Sequence, residues 1–358
     1  MVGVKTHKLG IIGFGGIARW HIDTMKDAGY DRVELKGVFD LAESALQAAR
    51  DRGFIAYPSQ EALLADPEID VVMVATTNEA HKSICMDVMR AGKHVISEKP
   101  VTVTSAELEE AMAVSKETGM VYTVDQNRRT NRDFIVMKRS VEAGLIGKPL
   151  VIESRVEGSR GMPKGWRTIK RLGGGMMLDW GVHLIDQFLY MIPEKVTQVY
   201  CKMLSVQYPE VEDNFHLMMT FESGLIGIIE VGTNHFITHP RWYVMGEQGT
   251  LQVDNWNCDG RIVRATTTEN EWDEEIIYTM AGPTKTMAPR NKKSTETIAL
   301  SAPTDVVDDI TVVFDQFLDA VEGKAPLTIK PEEALRTMKV MEAAFVSAEE
   351  KRSVNVEI

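Results

Sequence analysis

Apolar and polar positions follow two different rhythms along this chain. In the first third, short apolar runs alternate with stretches of helical periodicity. Leu9–Ile12 and Val71–Ala75 are continuous apolar runs, as in strands buried on both faces. Val33–Phe39 alternates, and His94–Ser97 and Val121–Val124 give further strands. Between them, residues 17–28, 40–53, 61–65, 81–90 and 105–118 read as helices, several closed by glycine. This alternation predicts a doubly wound parallel sheet.

Beyond Pro149 the pattern changes. Leu150–Val156, Val196–Val206, Asn214–Phe221, Ile226–Thr233, Trp242–Met245, Thr250–Val253 and Arg261–Thr267 read as strands, with few helices between them. Glu222-Ser223-Gly224 and Glu247-Gln248-Gly249 read as hairpin turns, so this sheet is expected to be mostly antiparallel. Residues 272–304 are polar and read as a long loop, or a lid. Val306, Ile310, Val313, Phe317 and Val321 keep helical spacing, and Pro331 opens a last helix. The expectation is α/β plus α+β: a nucleotide-binding domain over 1–126 and a second domain over 127–358, with a large antiparallel sheet and flanking helices.

The first strand leads into Gly13-Phe14-Gly15-Gly16-Ile17-Ala18, a Gly-x-Gly-x-x-Ala string at a strand-to-helix junction. The first glycine permits the turn, the second admits a pyrophosphate, and the small third residue lets helix and strand pack closely. The helix's free amides would face the phosphates. Asp40 follows the second strand, 22 positions after Ala18. There a carboxylate accepts ribose hydroxyls and repels a 2′-phosphate, and Leu41 and Ala42 offer no arginine, so NAD is expected over NADP. Asp40 could instead cap the helix that begins near Ala42.

Composition narrows the partners. The 358 residues carry a net charge of −12 and no basic cluster with interleaved aromatics, which argues against nucleic acid and anionic membranes. Three widely spaced cysteines argue against a disulfide framework or zinc site. No run of about 18 apolar residues suggests a membrane helix, so a cytoplasmic protein is expected.

Three strings in order, Gly13 to Ala18, Thr77-Asn78-Glu79-Ala80-His81 and Glu98-Lys99-Pro100, resemble the glucose-fructose oxidoreductase/inositol dehydrogenase (Gfo/Idh/MocA) family. The likeness covers essentially the whole chain, with Thr77 where proline often stands. It implies a Rossmann cofactor domain in which Gly13, Phe14, Gly15, Gly16, Ile17, Asp40, Thr76, Thr77, Asn78, His81, Glu98, Lys99 and Asn127 surround the cofactor. It also implies that Lys99 binds substrate hydroxyls, that Arg128 lies near the substrate, and that the second sheet pairs in a homodimer or homotetramer.

Gly173-Gly174-Gly175 precede Asp179, His183 and Asp186, a string that resembles the family's second signature. On a helix, Asp179 and His183 project from one face, so the carboxylate would set the imidazole as a general base and favour its protonated form. Such a pair can also ligate zinc, but no third ligand is evident, and no metal is expected. Trp166 could stack on a sugar ring and Arg167 donate to hydroxyls. These residues lead to an NAD-dependent dehydrogenase acting on a secondary alcohol of a sugar, glycoside or cyclitol, with Lys99, Asp179 and His183 as its chemistry. An NAD-dependent glycosidase using transient oxidation, and a non-catalytic NAD sensor, are the alternatives.

Overall fold

The structure is a computed structural model and describes residues 5–267, 276–284, 290 and 292–358. Six strands, β1 (His7–Ile12), β2 (Val33–Phe39), β3 (Ile55–Ala56), β4 (Val71–Val74), β5 (His94–Ser97) and β6 (Tyr122–Val124), form one parallel sheet in the order 3-2-1-4-5-6. The helices α1 (Gly16–Asp27), α2 (Glu43–Asp51), α3 (Gln60–Leu64), α4 (His81–Arg90) and α5 (Ser105–Thr118) connect them. All four residues of β4 are buried, because helices cover both faces of a doubly wound sheet. Order reverses between β1 and β4, and ligands bind such sheets at the carboxyl ends beside this reversal.

After α6 (Arg132–Glu142) come β7 (Pro149–Glu157), α7 (Val182–Met191), β8 (Val196–Leu204), β9 (Asn214–Phe221), β10 (Ile226–Gly232), β11 (Trp242–Gly246), β12 (Gly249–Val253) and β13 (Gly260–Ala265). With β16 (Thr295–Leu300) and β17 (Val354–Asn355) these strands build a nine-stranded sheet, while β14 (Ile277–Thr279) and β15 (Gly282–Thr284) form a separate hairpin. Every described pairing in the large sheet is antiparallel except β7 with β10. Residues on one face of β7, such as Ile152 and Ser154, are buried, whereas Glu153 and Arg155 on the other are half-buried.

The polar stretch from 272 to 304 is not one loop. Its end, β16, pairs with β13 as an edge strand, where one face meets solvent and polar residues are tolerated. Residues 272–275, 285–289 and 291 of that reading lie outside the described residues. Val306 also falls outside the helix it was expected to start. Asp309 caps α8 (Ile310–Val321) by accepting the Thr311 N–H at 2.8 Å, which fixes the start downstream.

The last two helices tie the chain together. Phe314 and Phe317 of α8 pack with Leu9, Ile11, Val71 and Met73 of the parallel sheet. The carboxylate of Glu342 in α9 (Pro331–Glu350) accepts from Ser105 N–H and Oγ at the start of α5, both at 2.7 Å. Arg129 donates to both oxygens of Asp186 at 2.7 Å and to Glu333 at 2.6 Å, joining the segment after β6 to α7 and α9. Asp186 of the signature is therefore a buried strut. Among the described residues no helix is long and apolar enough to cross a membrane.

Beneath the fingerprint helix, buried His21 lies 2.7 Å from Glu98 and 3.3 Å from Asp125. Burial alone would lower the imidazole's pKa, but hydrogen bonds and charge from Asp125 and Glu98 outweigh it and raise it to about 10. The stabilisation this gives is full below the unfolded value of about 6.5 and is lost as pH rises through the folded value. His21→Ala would remove the cation that sits between two buried carboxylates, so it should lower unfolding free energy by roughly 3–5 kcal/mol at pH 7. Urea unfolding measures this, with the gap narrowing above about pH 10. A loss below about 1 kcal/mol would contradict the assignment.

Candidate active site

Gly13 has φ +91°, and a Cβ there would lie 2.5 Å from the Ala75 carbonyl oxygen, so the turn after β1 requires glycine. Gly15 and Gly16 face open space: a Cβ on either would meet nothing within 4 Å. The first turn of α1 carries no side-chain cap and no acidic residue, and Ala18 is fully buried against the core. This is a backbone cradle suited to a pyrophosphate. Phe14 points into the core, while Ile17 is exposed. Asp40 Oδ2 accepts the Phe14 N–H at 2.7 Å and Oδ1 accepts the Ala42 N–H at 2.8 Å. The carboxylate thus braces the turn and the start of α2 together, and its remaining lone pairs suit ribose hydroxyls.

Three residues assigned to the cofactor have side chains engaged inside the protein. Asn78 Nδ2 donates to the Gly173 carbonyl at 2.9 Å, and a Cβ at Gly173 would lie 2.8 Å from that nitrogen. Fully buried His81 sits 2.9 Å from the Pro100 carbonyl and 3.2 Å from that of Thr76. Glu98 is held by His21. Each satisfies a buried polar partner, the ordinary requirement on interior polar groups. Thr76 and Thr77 remain at the half-buried end of β4.

Lys99 leaves the end of β5 and crosses to the second domain. Its Nζ donates to the Asp179 carbonyl at 2.8 Å and to Asp179 Oδ1 at 3.0 Å. Arg167 Nε donates to Asp179 Oδ2 at 2.7 Å, and its guanidinium stacks 4.5 Å from the Trp166 ring centroid. Burial would raise the Asp179 pKa, but Lys99 and Arg167 prevail and hold it below the usual carboxylate range. Sequence reasoning gave this carboxylate to His183. The structure gives it to two cations instead.

The reason is local. Asp179 lies in a π-turn, Met177–Gly181, which widens the coil before α7, so the regular four-residue spacing to His183 is broken. Gly175 is required here by protein and not by a ligand: its Cβ would lie 2.3 Å from Glu212 Oε1. That same oxygen accepts the Met177 N–H at 2.8 Å and sets the turn. His183 is buried, and its Nδ1 has no hydrogen-bond partner. Burial, then the charges of Lys99, Arg128 and Arg241, push its pKa well below the ordinary imidazole value. The expected imidazolium is a neutral imidazole.

Further unpartnered buried atoms, Gln126 Nε2 and Oε1, Asn127 Oδ1 and Gln187 Oε1, belong to the segment after β6 and to α7, which pack together. Interior polar groups are ordinarily hydrogen-bonded, so these atoms make a polar lining where the two segments meet. Arg128 stacks on Trp180 at 4.8 Å and approaches Trp256 at 5.8 Å, while Arg241 lies 4.4 Å from Trp256. Asp179, Trp180 and Arg167 line a cavity of about 570 Å3 whose opposite wall is the 157–163 stretch and the end of β10. That volume suits a small-molecule site. Gln187 had a readable signal, one turn beyond His183. Arg241, Trp256 and the 157–163 wall had none, because only the sheet brings them here.

Comparison with known proteins agrees with this fold. Residues 7–126 match the model of an oxidoreductase family with an NAD-binding Rossmann fold, and residues 134–252 match the GFO/IDH/MocA C-terminal domain. Myo-inositol 2-dehydrogenase of Thermotoga maritima is 26% identical over 98% of both chains. An NADP-dependent scyllo-inositol 2-dehydrogenase of Bacillus subtilis is 26% identical, covering 99% of this chain and 97% of its own. The crystal structure of an NAD-binding protein from Listeria innocua superposes with a TM-score of 0.93 at 39% identity, over 98% of this chain and 100% of that one. With both domains matched in order, this chain belongs to the Gfo/Idh/MocA family of oxidoreductases.

Proposed function

We propose that the protein is an NAD-dependent dehydrogenase that moves hydride between the nicotinamide and a secondary hydroxyl of a sugar, glycoside or cyclitol. The observation that carries this reading is the Lys99–Asp179–Arg167 network at the wall of the cavity, with a neutral, buried His183 one turn further along the chain. The names of the inositol dehydrogenases above support a polyol as substrate class. When bound, NAD supplies the hydride acceptor. Gly13, Gly15 and Gly16 would hold its pyrophosphate, Asp40 its adenosine ribose, and Thr76, Thr77 and Asn127 the approach to its nicotinamide.

The protein's own groups divide the remaining work. The Lys99 ammonium donates to the reacting hydroxyl oxygen and stabilises negative charge there as the proton leaves. Neutral His183 has the lone pair to accept that proton, and its depressed pKa favours returning it in carbonyl reduction. Ionised Asp179 holds Lys99 and accepts from a neighbouring hydroxyl, while Arg167 and Trp166 offer a donor and a stacking face. The half-buried face of the large sheet, with Met218, Ile228 and Tyr243 on it, supports pairing as a homodimer or homotetramer.

Lys99→Met should lower kcat for the responding polyol by about 10²–10⁴-fold while leaving NAD affinity within about threefold. Unchanged turnover would overturn the proposal. The same assay separates a glycosidase, because net NADH accumulates only in a dehydrogenase. Oxidation needs neutral His183, so kcat/KM should change by less than about twofold from pH 8 to 6.5. An acid limb near 6.5 that vanishes in His183→Asn would contradict its assignment. Finally, kcat/KM with NAD should exceed that with NADP by about tenfold or more, and Asp40→Ala should narrow the gap. Equal use of both cofactors by the unaltered protein would remove the role given to Asp40.

A further inference from the structure

The ends of β7 and β10 carry a second group of chemically active side chains that hydride transfer does not use. In their parallel register Glu157 lies opposite Gly232, and Arg155 lies opposite Glu230. Side chains two apart share a sheet face, so Glu157 and Glu230 project from the same side. The β10–β11 connection then folds back over them. The His235 N–H donates to the Gly158 carbonyl at 2.8 Å, and the His239 N–H donates to Glu157 Oε2 at 2.6 Å.

These backbone bonds aim two imidazoles at two carboxylates. His239 Nδ1 lies 2.9 Å from Glu157 Oε1, and His235 Nδ1 lies 3.5 Å from that same oxygen. His235 Nε2 is 3.6 Å from Glu230 Oε1. Taking one donor atom from each residue, all four lie within 4.8 Å of one another. The His235 ring fills the space that Gly232 leaves open, where a Cβ would come within 2.4 Å of it.

The charge balance is the second, independent observation. The Glu157 side chain is only 2% exposed, yet among the described residues its ion-pair partners are His235 and His239, with no lysine or arginine. A carboxylate buried to this degree is normally paired with a cation or ligates a metal. Glu230 has Arg155 at 3.3 Å and His216 at 3.7 Å, so its own arginine does not serve Glu157.

We infer that Glu157, Glu230, His235 and His239 form a binding site for a divalent transition-metal ion, with zinc the best fit. Two nitrogen and two oxygen donors at about 2.0–2.2 Å from zinc stand roughly 3.4 Å apart in a tetrahedron. A single ion takes only one His235 nitrogen, so only one of the 3.5 and 3.6 Å separations applies to it; either is close to this spacing, the 2.9 Å pair need only open slightly, and the remaining donors, within 4.8 Å, close in as the ion binds. Imidazole with carboxylate is a donor set that suits zinc. The ion neutralises Glu157 and pins the β10–β11 connection to the sheet. Since Glu157 and Thr233 line the cavity, the ion fixes the shape of its mouth and takes no part in hydride transfer.

The test uses the full-length, untagged protein, stripped with a chelator and titrated with Zn2+ or Co2+. One equivalent per chain should bind, and Co2+ should give the intense visible bands of four-coordinate geometry, bleached by Zn2+. His239→Ala removes a 58% exposed side chain and should weaken Zn2+ binding by roughly 10-fold or more, and His235→Ala/His239→Ala by roughly 100-fold or more. Binding that is not stoichiometric, or that is equally tight in the folded His239→Ala variant, would overturn the inference.

Discussion

One ammonium group joins the two halves of this protein at the point where chemistry is proposed. Lys99 stands at the carboxyl end of a parallel strand, and among the described residues both hydrogen bonds of its Nζ go to Asp179, 80 residues further on in the turn before α7. The surrounding structure is arranged to keep that pair in place. His21 engages the neighbouring Glu98 from beneath, Glu212 sets the turn that presents Asp179, and Arg129 clamps Asp186 of the following helix. Each of these partners is buried or nearly so, so loosening any one would expose an unpaired charge or dipole at the site.

The same pair divides the site electrostatically. Asp179 lies between Lys99 and Arg167 and is kept ionised, whereas His183 feels Lys99, Arg128 and Arg241 and is kept neutral. Two groups four residues apart are thus both driven towards their deprotonated forms, one charged and one neutral. Strongly perturbed titratable neighbours at the wall of a cavity mark a candidate functional site. The cavity beside this pair is lined by the large sheet and the segment before α7, and the family's NAD-binding domain carries Lys99 to its wall.

Much of this was legible because it is locally encoded. The apolar run of Val71–Val74 and the glycine turn at Gly13 each depend on near neighbours, and each reappears in the structure. What escaped depends on distance or on a broken rule. Nothing near Glu98 announces His21, 77 residues away. The helical spacing of Asp179 and His183 misled because the intervening turn is a π-turn, whose geometry no residue pattern marked. The edge strand Thr295–Leu300 was missed because an edge tolerates the polar residues that elsewhere signal a loop. Arg241 and Trp256 reach the site only through sheet register, which the sequence does not state.

The central claim is that a carbinol hydrogen travels as hydride from a polyol held at Lys99, Asp179 and His183 to the nicotinamide. Its most direct measurement is isotope transfer: the protein with NAD and a panel of inositols, free sugars and glucosides carrying deuterium on their carbinol carbons. The account predicts that one or more of them yields NADH labelled at nicotinamide C4, from a single carbon of that polyol. A panel that yields no labelled NADH, or NADH formed without the deuterium, would contradict it.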